Sequence, residues 1–339
     1  MAYGRIWEGR LRRLAAGIDI TARGVTVVVL GHGWRARQPV RLEGLAWLPL
    51  APGVVHGTEL LDRTALVEAL CAAFNLLPRS CKRAVMRCAM ALPAALTQVS
   101  SLPLEQLALD VRPDDDDELL TELEPLALAE AERMTGLERG DLAVDWRVAP
   151  GEALTDDGEP ARCLTITAAA NEHLQARLEC AAQAGLTLCA VDGEAHAALR
   201  AMRYLAAFTV FAQAPQKSCI ALWAGPDSLY GWFLAEAGIV REMCYPSPEY
   251  ATLTDALQEL QRKDRPDYAL LSGDPDLLAK TQAAQVSGAA SGNVLACPVL
   301  PFECARFATS ASSLPSAAPL LHAPACAVAF GLALRGVNE

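Results

Sequence analysis

"LAAGIDITARGVTVVVLG" occupies residues 14–31, and its reading decides the fold. A short apolar strand carries one carboxylate, Asp19, near its end. A turn of Thr21, Ala22, Arg23 and Gly24 follows, and then a second strand. An acid just before a tight hairpin has two readings. It either faces a phosphate and Mg²⁺, or it hydrogen-bonds its own turn.

The neighbouring sequence extends the pattern. "GVTVVVLGHG" and "PVRLEGLAWLPL" join "AAGIDI" in a predicted antiparallel three-strand meander. "DRTALVEALCAAFNLL" spaces Leu66, Leu70, Ala73, Phe74 and Leu77 as a helix, with Asp62 as N-cap and Pro78 as its end. "RAVMRCAMALPAALTQVSSLPL" predicts a strand, a turn at Pro93 and a second extended stretch. Asp114 to Asp117 lead into "ELLTELEPLALAEAERM", where acids suit a helix N-terminus and Pro125 is expected to kink or split the helix. A Ca²⁺ site on these aspartates is disfavoured, because neither a Gly turn nor a Glu at EF-hand spacing accompanies them. "DLAVDWRVAP" and "RCLTITAAA" are strands around the loop "GEALTDDGEPA". "NEHLQARLECAAQAG" is a helix closed by Gly185, and "LTLCAVDGEAHAALRAMRYL" is a strand ending at Asp192 followed by a helix.

The second half restarts this order. "KSCIALWAGPDSLYGWFLAEAGIVREMCYP" predicts another three-strand meander. The helix "YATLTDALQELQRK", the strand "DYALLSG", the helix opening "DPDLLAKTQAAQ", the strand "NVLACPVLP", the loop "ARFATSASSLPSAAP" and the closing helix "HAPACAVAFGLALRG" follow. Each half is a meander continued by α/β units. That duplication is the layout of the actin, Hsp70 and sugar-kinase folds, in which ATP lies between two lobes.

Composition narrows the function. The 339 residues are 52% hydrophobic and 20% charged, which suits a large globular core. Lys and Arg total 29 against 40 Asp and Glu, a net charge of −11, which disfavours nonspecific nucleic-acid binding. One basic segment, Arg5, Arg10, Arg12 and Arg13 among Ile6, Trp7, Leu11 and Leu14, reads either as a solvated start or as a contact to an acidic membrane surface. The 11 cysteines lack metal-ligand spacing and suit a reducing compartment. No apolar run reaches the roughly 18 residues that cross a bilayer, and no signal-peptide pattern precedes Asp19, so a cytoplasmic chain is expected. The five histidines form no HxxxH or Ser-His-Asp arrangement.

Four stretches carry a family resemblance: "GIDITARGVTVVVL", "ELEPLALAEAERMTGLERGDLAVDWRVAP", "VDGEAHAALRA" and "AFGLALRG". In this order the chain resembles PilM, the actin-like protein of type IV pilus assembly, itself similar to the division protein FtsA. The type II secretion L component is a near alternative, but it continues into a membrane helix, and the end of this chain at Glu339 favours the PilM type. The resemblance implies an α/β actin-like/Hsp70-type ATPase fold. Lobe one is expected at 1–92, completed by 181–210, an inserted subdomain at 93–180, and lobe two at 211–339. It also implies cytoplasmic, inner-membrane-associated work: PilM proteins grip the cytoplasmic N-terminal tail of PilN between lobe one and the subdomain.

The resemblance implies an ATP and Mg²⁺ site as well, here weakened or lost. Asp19 matches the first phosphate turn, with Thr21 at its glycine position and Arg23 as its cation. In the second turn Leu222 stands for the acid and Ala224 for the glycine, and Asp227 comes too late. Gly273 keeps the nucleoside-side glycine, but Asp274 and Pro275 follow where small residues belong. Asp192 and Glu194 read either as water-positioning acids or as a helix cap. Asp19, Thr21, Asp192 and Gly273 are thus the candidate cofactor-binding residues. The expectation is a pseudo-ATPase scaffold without catalytic or metal residues that binds a PilN-like tail and other pilus assembly proteins. The alternative is an active ATPase of the actin and sugar-kinase superfamily.

Overall fold

In the computed structural model the described residues are 14–31, 40–82, 86–107, 116–154, 160–212, 214–236, 238–246, 259–261, 265–274, 297–308 and 319–338. Most of the N-terminal arginine segment, of the two helices expected at 250–263 and 274–285, and of the Ser/Ala/Pro loop expected at 305–319 lies outside them; the first residues of that loop are described and belong to a 3₁₀ turn, Cys304–Phe307.

The opening meander is present as β1 (Leu14–Thr21), β2 (Gly24–Gly31) and β3 (Arg41–Pro49). β1 and β2 pair from Leu14↔Gly31 to Thr21↔Gly24, which leaves a two-residue turn of Ala22 and Arg23. A short hairpin of β4 (Val55–His56) and β5 (Glu59–Leu60) leads to α1 (Arg63–Leu76). Asp62 caps α1 by accepting the Ala65 amide at 2.9 Å. One turn, α2 (Arg79–Lys82), precedes β6 (Met86–Leu92), which runs parallel to β1.

The chain then leaves the sheet through a 3₁₀ turn, Ala94–Leu96, and builds a subdomain from β7 (Gln98–Pro103), α3 (Asp116–Thr135), β8 (Leu142–Leu154) and β9 (Pro160–Ala170). Its sheet has the order β7-β9-β8. α3 lays Leu119, Leu123, Ala127 and Ala131 on Leu164, Ile166 and Ala168 of β9. That i, i+4 stripe holds both halves of the helix on one sheet. α3 is accordingly unbroken, and Pro125, expected to kink or split it, sits inside it on the exposed side.

α4 (Asn171–Gln183) returns the chain to lobe one, and Gly185 ends it in the left-handed region at φ +73°. β10 (Leu188–Gly193) joins β6 in parallel, completing the order β10-β6-β1-β2-β3. α5 (Glu194–Ala206) then crosses to lobe two.

Lobe two repeats the plan. β11 (Cys219–Ala224), β12 (Ser228–Ala235) and β13 (Gly238–Pro246) form a meander, and β14 (Tyr268–Gly273) and β15 (Val299–Pro301) add in parallel, giving β13-β12-β11-β14-β15. The closing helix α6 (Ala327–Asn338) belongs to the segment after β15, yet it packs on β1, β2 and β6 of the first sheet and on α5.

Small residues make that packing. A Cβ on Gly17 of β1 would lie 1.9 Å from the Ala329 carbonyl oxygen, and one on Gly331 would lie 1.8 Å from that of Ala197 in α5. β1 therefore turns Ala15, Gly17 and Asp19 toward the closing helix and the interlobe cleft, and Leu14, Ile18 and Ile20 toward α1.

Candidate functional site

Two groups of residues meet at β10. The first lies at the cleft between the lobes. Asp19 reaches it from β1, its side chain almost wholly buried, and its Oδ1 has no hydrogen-bond partner. Burial pushes its carboxyl up to about 7, partly offset by the Ile20 amide. Glu194, the first residue of α5, is buried as well and accepts the Ala94 amide through Oε2 at 3.2 Å. Burial, and then the negative charge of Asp19, push the Glu194 carboxyl up to about 8; the Ala94 amide and the Arg177 guanidinium act against this. Asp227, on the exposed β11–β12 turn of lobe two, adds to the same negative field.

Thr21 is used by its own hairpin: its hydroxyl donates to the Gly24 carbonyl and accepts the Arg23 amide, each at 3.3 Å. Arg23 instead pairs across the lobes with Asp274 at 3.1 Å. Asp274 is the carboxylate expected from the sequence to need a compensating cation were a phosphate bound there. Gly273 adopts φ +104°, and a Cβ there would lie 2.2 Å from the Ala224 carbonyl oxygen. The glycine lets β14 close on β11, and the Asp274 amide donates to that carbonyl at 2.8 Å.

Asp192 does not join this group. Its carboxylate accepts Arg200 at 2.8 Å and pairs with Arg335 of α6 at 3.3 Å, while Arg200 also donates to the Gly331 carbonyl. Burial opposes ionisation, but Arg200, Arg335 and His196 together hold the Asp192 carboxyl below its ordinary range. The N-cap position of α5 falls on Gly193, without a side-chain cap. Asp192 therefore welds the closing helix to β10 and is not the cap. Among the four candidates, Asp19 faces the cleft, Thr21 and Gly273 build turns at its mouth, and Asp192 faces the other way.

It faces the second region, a groove of about 180 Å³ between lobe one and the subdomain. Leu92, Ala143, Val144, Leu174 and Val191 give it apolar lining, and Thr97, Asp145, Asp192 and Arg335 give it polar lining. Two sheet edges border it: β10 ends the first sheet and β8 ends the subdomain sheet. These residues come from five elements, β6, β8, α4, β10 and α6, and from the turn residue Thr97. The family resemblance places the groove between lobe one and the subdomain of roughly residues 93–180 without naming its residues, and Arg335 and Arg177 carry no local signature.

Two duplicated lobes meeting at an acid-lined cleft, with a subdomain set into the first, define an actin-like ATPase fold. The chain belongs to the PilM family of type IV pilus assembly proteins, whose model matches residues 17–224. A solved PilM–PilN type IV pilus biogenesis complex is similar, with a TM-score of 0.68 and 19% identity over 96% of this chain and 99% of that one. The cytoplasmic domain of EpsL, an inner-membrane component of the Vibrio cholerae type II secretion system, matches at 0.40 and 14% identity over 84% and 98% of the two chains. A protein from Bacteroides thetaiotaomicron with an actin-like ATPase fold and unknown function matches at 0.42 and 8% identity over 88% and 94%. A comparison with curated protein sequences gives no match. No helix among the described residues is long and apolar enough to cross a membrane.

Proposed function

We propose that this protein is a scaffold of type IV pilus assembly that holds the tail of a PilN-like inner-membrane protein at the cytoplasmic face of that membrane. The observation that carries this reading is the groove between β8 and β10. β8 and β10 are the edge strands of their sheets among the described residues, where an extended peptide would add main-chain hydrogen bonds, and the apolar lining would seat alternate side chains. Family membership supports the pilus assignment, and the similar PilM–PilN complex supports the partner.

The nucleotide site is read as degenerate. A polyphosphate entering the cleft meets Asp19, Glu194 and Asp227, and the cation of the first turn is already paired with Asp274. Leu222 and Ala224 supply neither the acid nor the glycine of a second phosphate turn. An active ATPase would need the Asp19 carboxylate ionised and open to Mg²⁺, and its burial works against both.

The test is fluorescence anisotropy with a synthetic peptide of the PilN-homologue tail from the same genome. Micromolar or tighter binding, weakened about tenfold or more by Ala143→Trp in the groove wall, is the expected result. Absence of binding, or an affinity that Ala143→Trp leaves unchanged in a folded protein, overturns the reading.

A further inference from the structure

The cleft and the groove back onto each other across three residues. Asp192 and Gly193 line the groove, and Glu194 faces Asp19 and Asp227 between the lobes. The Glu194 carboxyl also holds the Ala94 amide, the first residue of the 3₁₀ turn by which the chain enters the subdomain. Thr97, at the end of that turn, lines the groove and lies against Gly193: a Cβ there would be 3.3 Å from the Thr97 methyl carbon. On the exit side, Arg177 of α4 donates to the Ala91 carbonyl at 3.0 Å, and its guanidinium acts on Glu194. One cleft carboxyl thus grips the strand-to-subdomain connection whose next turn forms the groove wall.

We propose that the Asp192–Gly193–Glu194 junction couples the two regions, so that what occupies the cleft sets how firmly the subdomain's entry turn is held and with it the opening of the groove. The contact that carries the coupling is Glu194 to Ala94. An ionised carboxylate accepts an amide more strongly than a protonated one. A proton or cation arriving among Asp19 of β1, Glu194 of α5 and Asp227 of the β11–β12 turn changes that acceptor, with Arg177 of α4 and Tyr230 of β12 also facing the group. The tight seating of α6 on β1 and α5 leaves little slack to absorb the change. The bearing of this coupling on tail binding rests on the function proposed above; the coupling itself is tested without a tail.

The experiment is hydrogen–deuterium exchange on the full chain. Asp19→Asn removes the carboxylate that disfavours ionised Glu194. Protection of residues 94–103 and 142–148 is expected to rise, with exchange slowed by about threefold or more while α1 is unchanged. Glu194→Gln supplies only a neutral acceptor, and exchange in the same two segments is expected to quicken by about as much. Changes of the same sign in both variants, confined to residues 192–197, or spread evenly through α1 and β11 overturn the proposal. Should Glu194→Gln fail to fold, Asp19→Asn decides alone: unchanged or lower protection of 142–148 overturns it. A tail peptide that never binds refutes the proposed function and leaves this readout intact.

Discussion

At the scale of single residues, the buried acids set the chemistry. Asp19 keeps its proton in the folded protein up to about pH 7, against an ordinary value of 3.8. The stabilisation is therefore full below the unfolded value and lost as pH rises through 7. Asp19→Asn removes this loss. Urea unfolding is expected to show the variant gaining, relative to wild type, on the order of 2 kcal/mol between pH 5 and pH 8.5. A constant difference across that range contradicts the assignment. Asp192 stands in the opposite position, ionised between two guanidiniums. Asp192→Ala leaves both without their carboxylate and is expected to cost about 3 kcal/mol in the same measurement. Asp192→Asn is expected to cost less, because its amide oxygen still accepts one of the arginines.

At the scale of elements, local chemistry was legible and distant partnership was not. The Asp62 cap, the two-residue turn at Ala22–Arg23 and the Gly185 helix end each depend on residues within about five positions. The meander order was legible for the same reason. The Arg23–Asp274 and Asp192–Arg335 pairs join residues far apart in sequence, and only the fold brings them together. Asp19 and Asp192 looked like equal members of one nucleotide site. The pleat of β1 and the turn at Gly193 send them into different regions. Pro125 shows tertiary packing overriding a local rule: the buried stripe of α3 outweighs the lost helix hydrogen bond. The closing helix depends on glycine for its position. Gly331→Ala forces a Cβ into the Ala197 carbonyl, and thermal unfolding is expected to show a loss of about 3 kcal/mol or more. A loss under about 1 kcal/mol contradicts the close seating of α6 on α5.

At the scale of the whole molecule, the central claim is that a two-lobed ATPase fold has closed its cleft with its own residues and moved its work to the groove beside it. Arg23–Asp274 joins the two lobes, and in the proposed reading neither this pair nor the protonated Asp19 and Glu194 offers phosphate a partner. Half of the Arg23 side chain is in solvent, so this ion pair alone contributes about 1 kcal/mol or less. The proposed exclusion rests on the pairing of the first-turn cation and on Leu222 and Ala224 in the second turn, not on the charge of the buried acids, which burial keeps protonated up to about pH 7 and 8. Isothermal titration of the full chain with Mg-ATP tests this most directly, with Asp19→Ala alongside. The account predicts no binding heat from a folded sample. Binding tighter than ~100 µM that Asp19→Ala abolishes contradicts it, and shows the ancestral phosphate turn still at work.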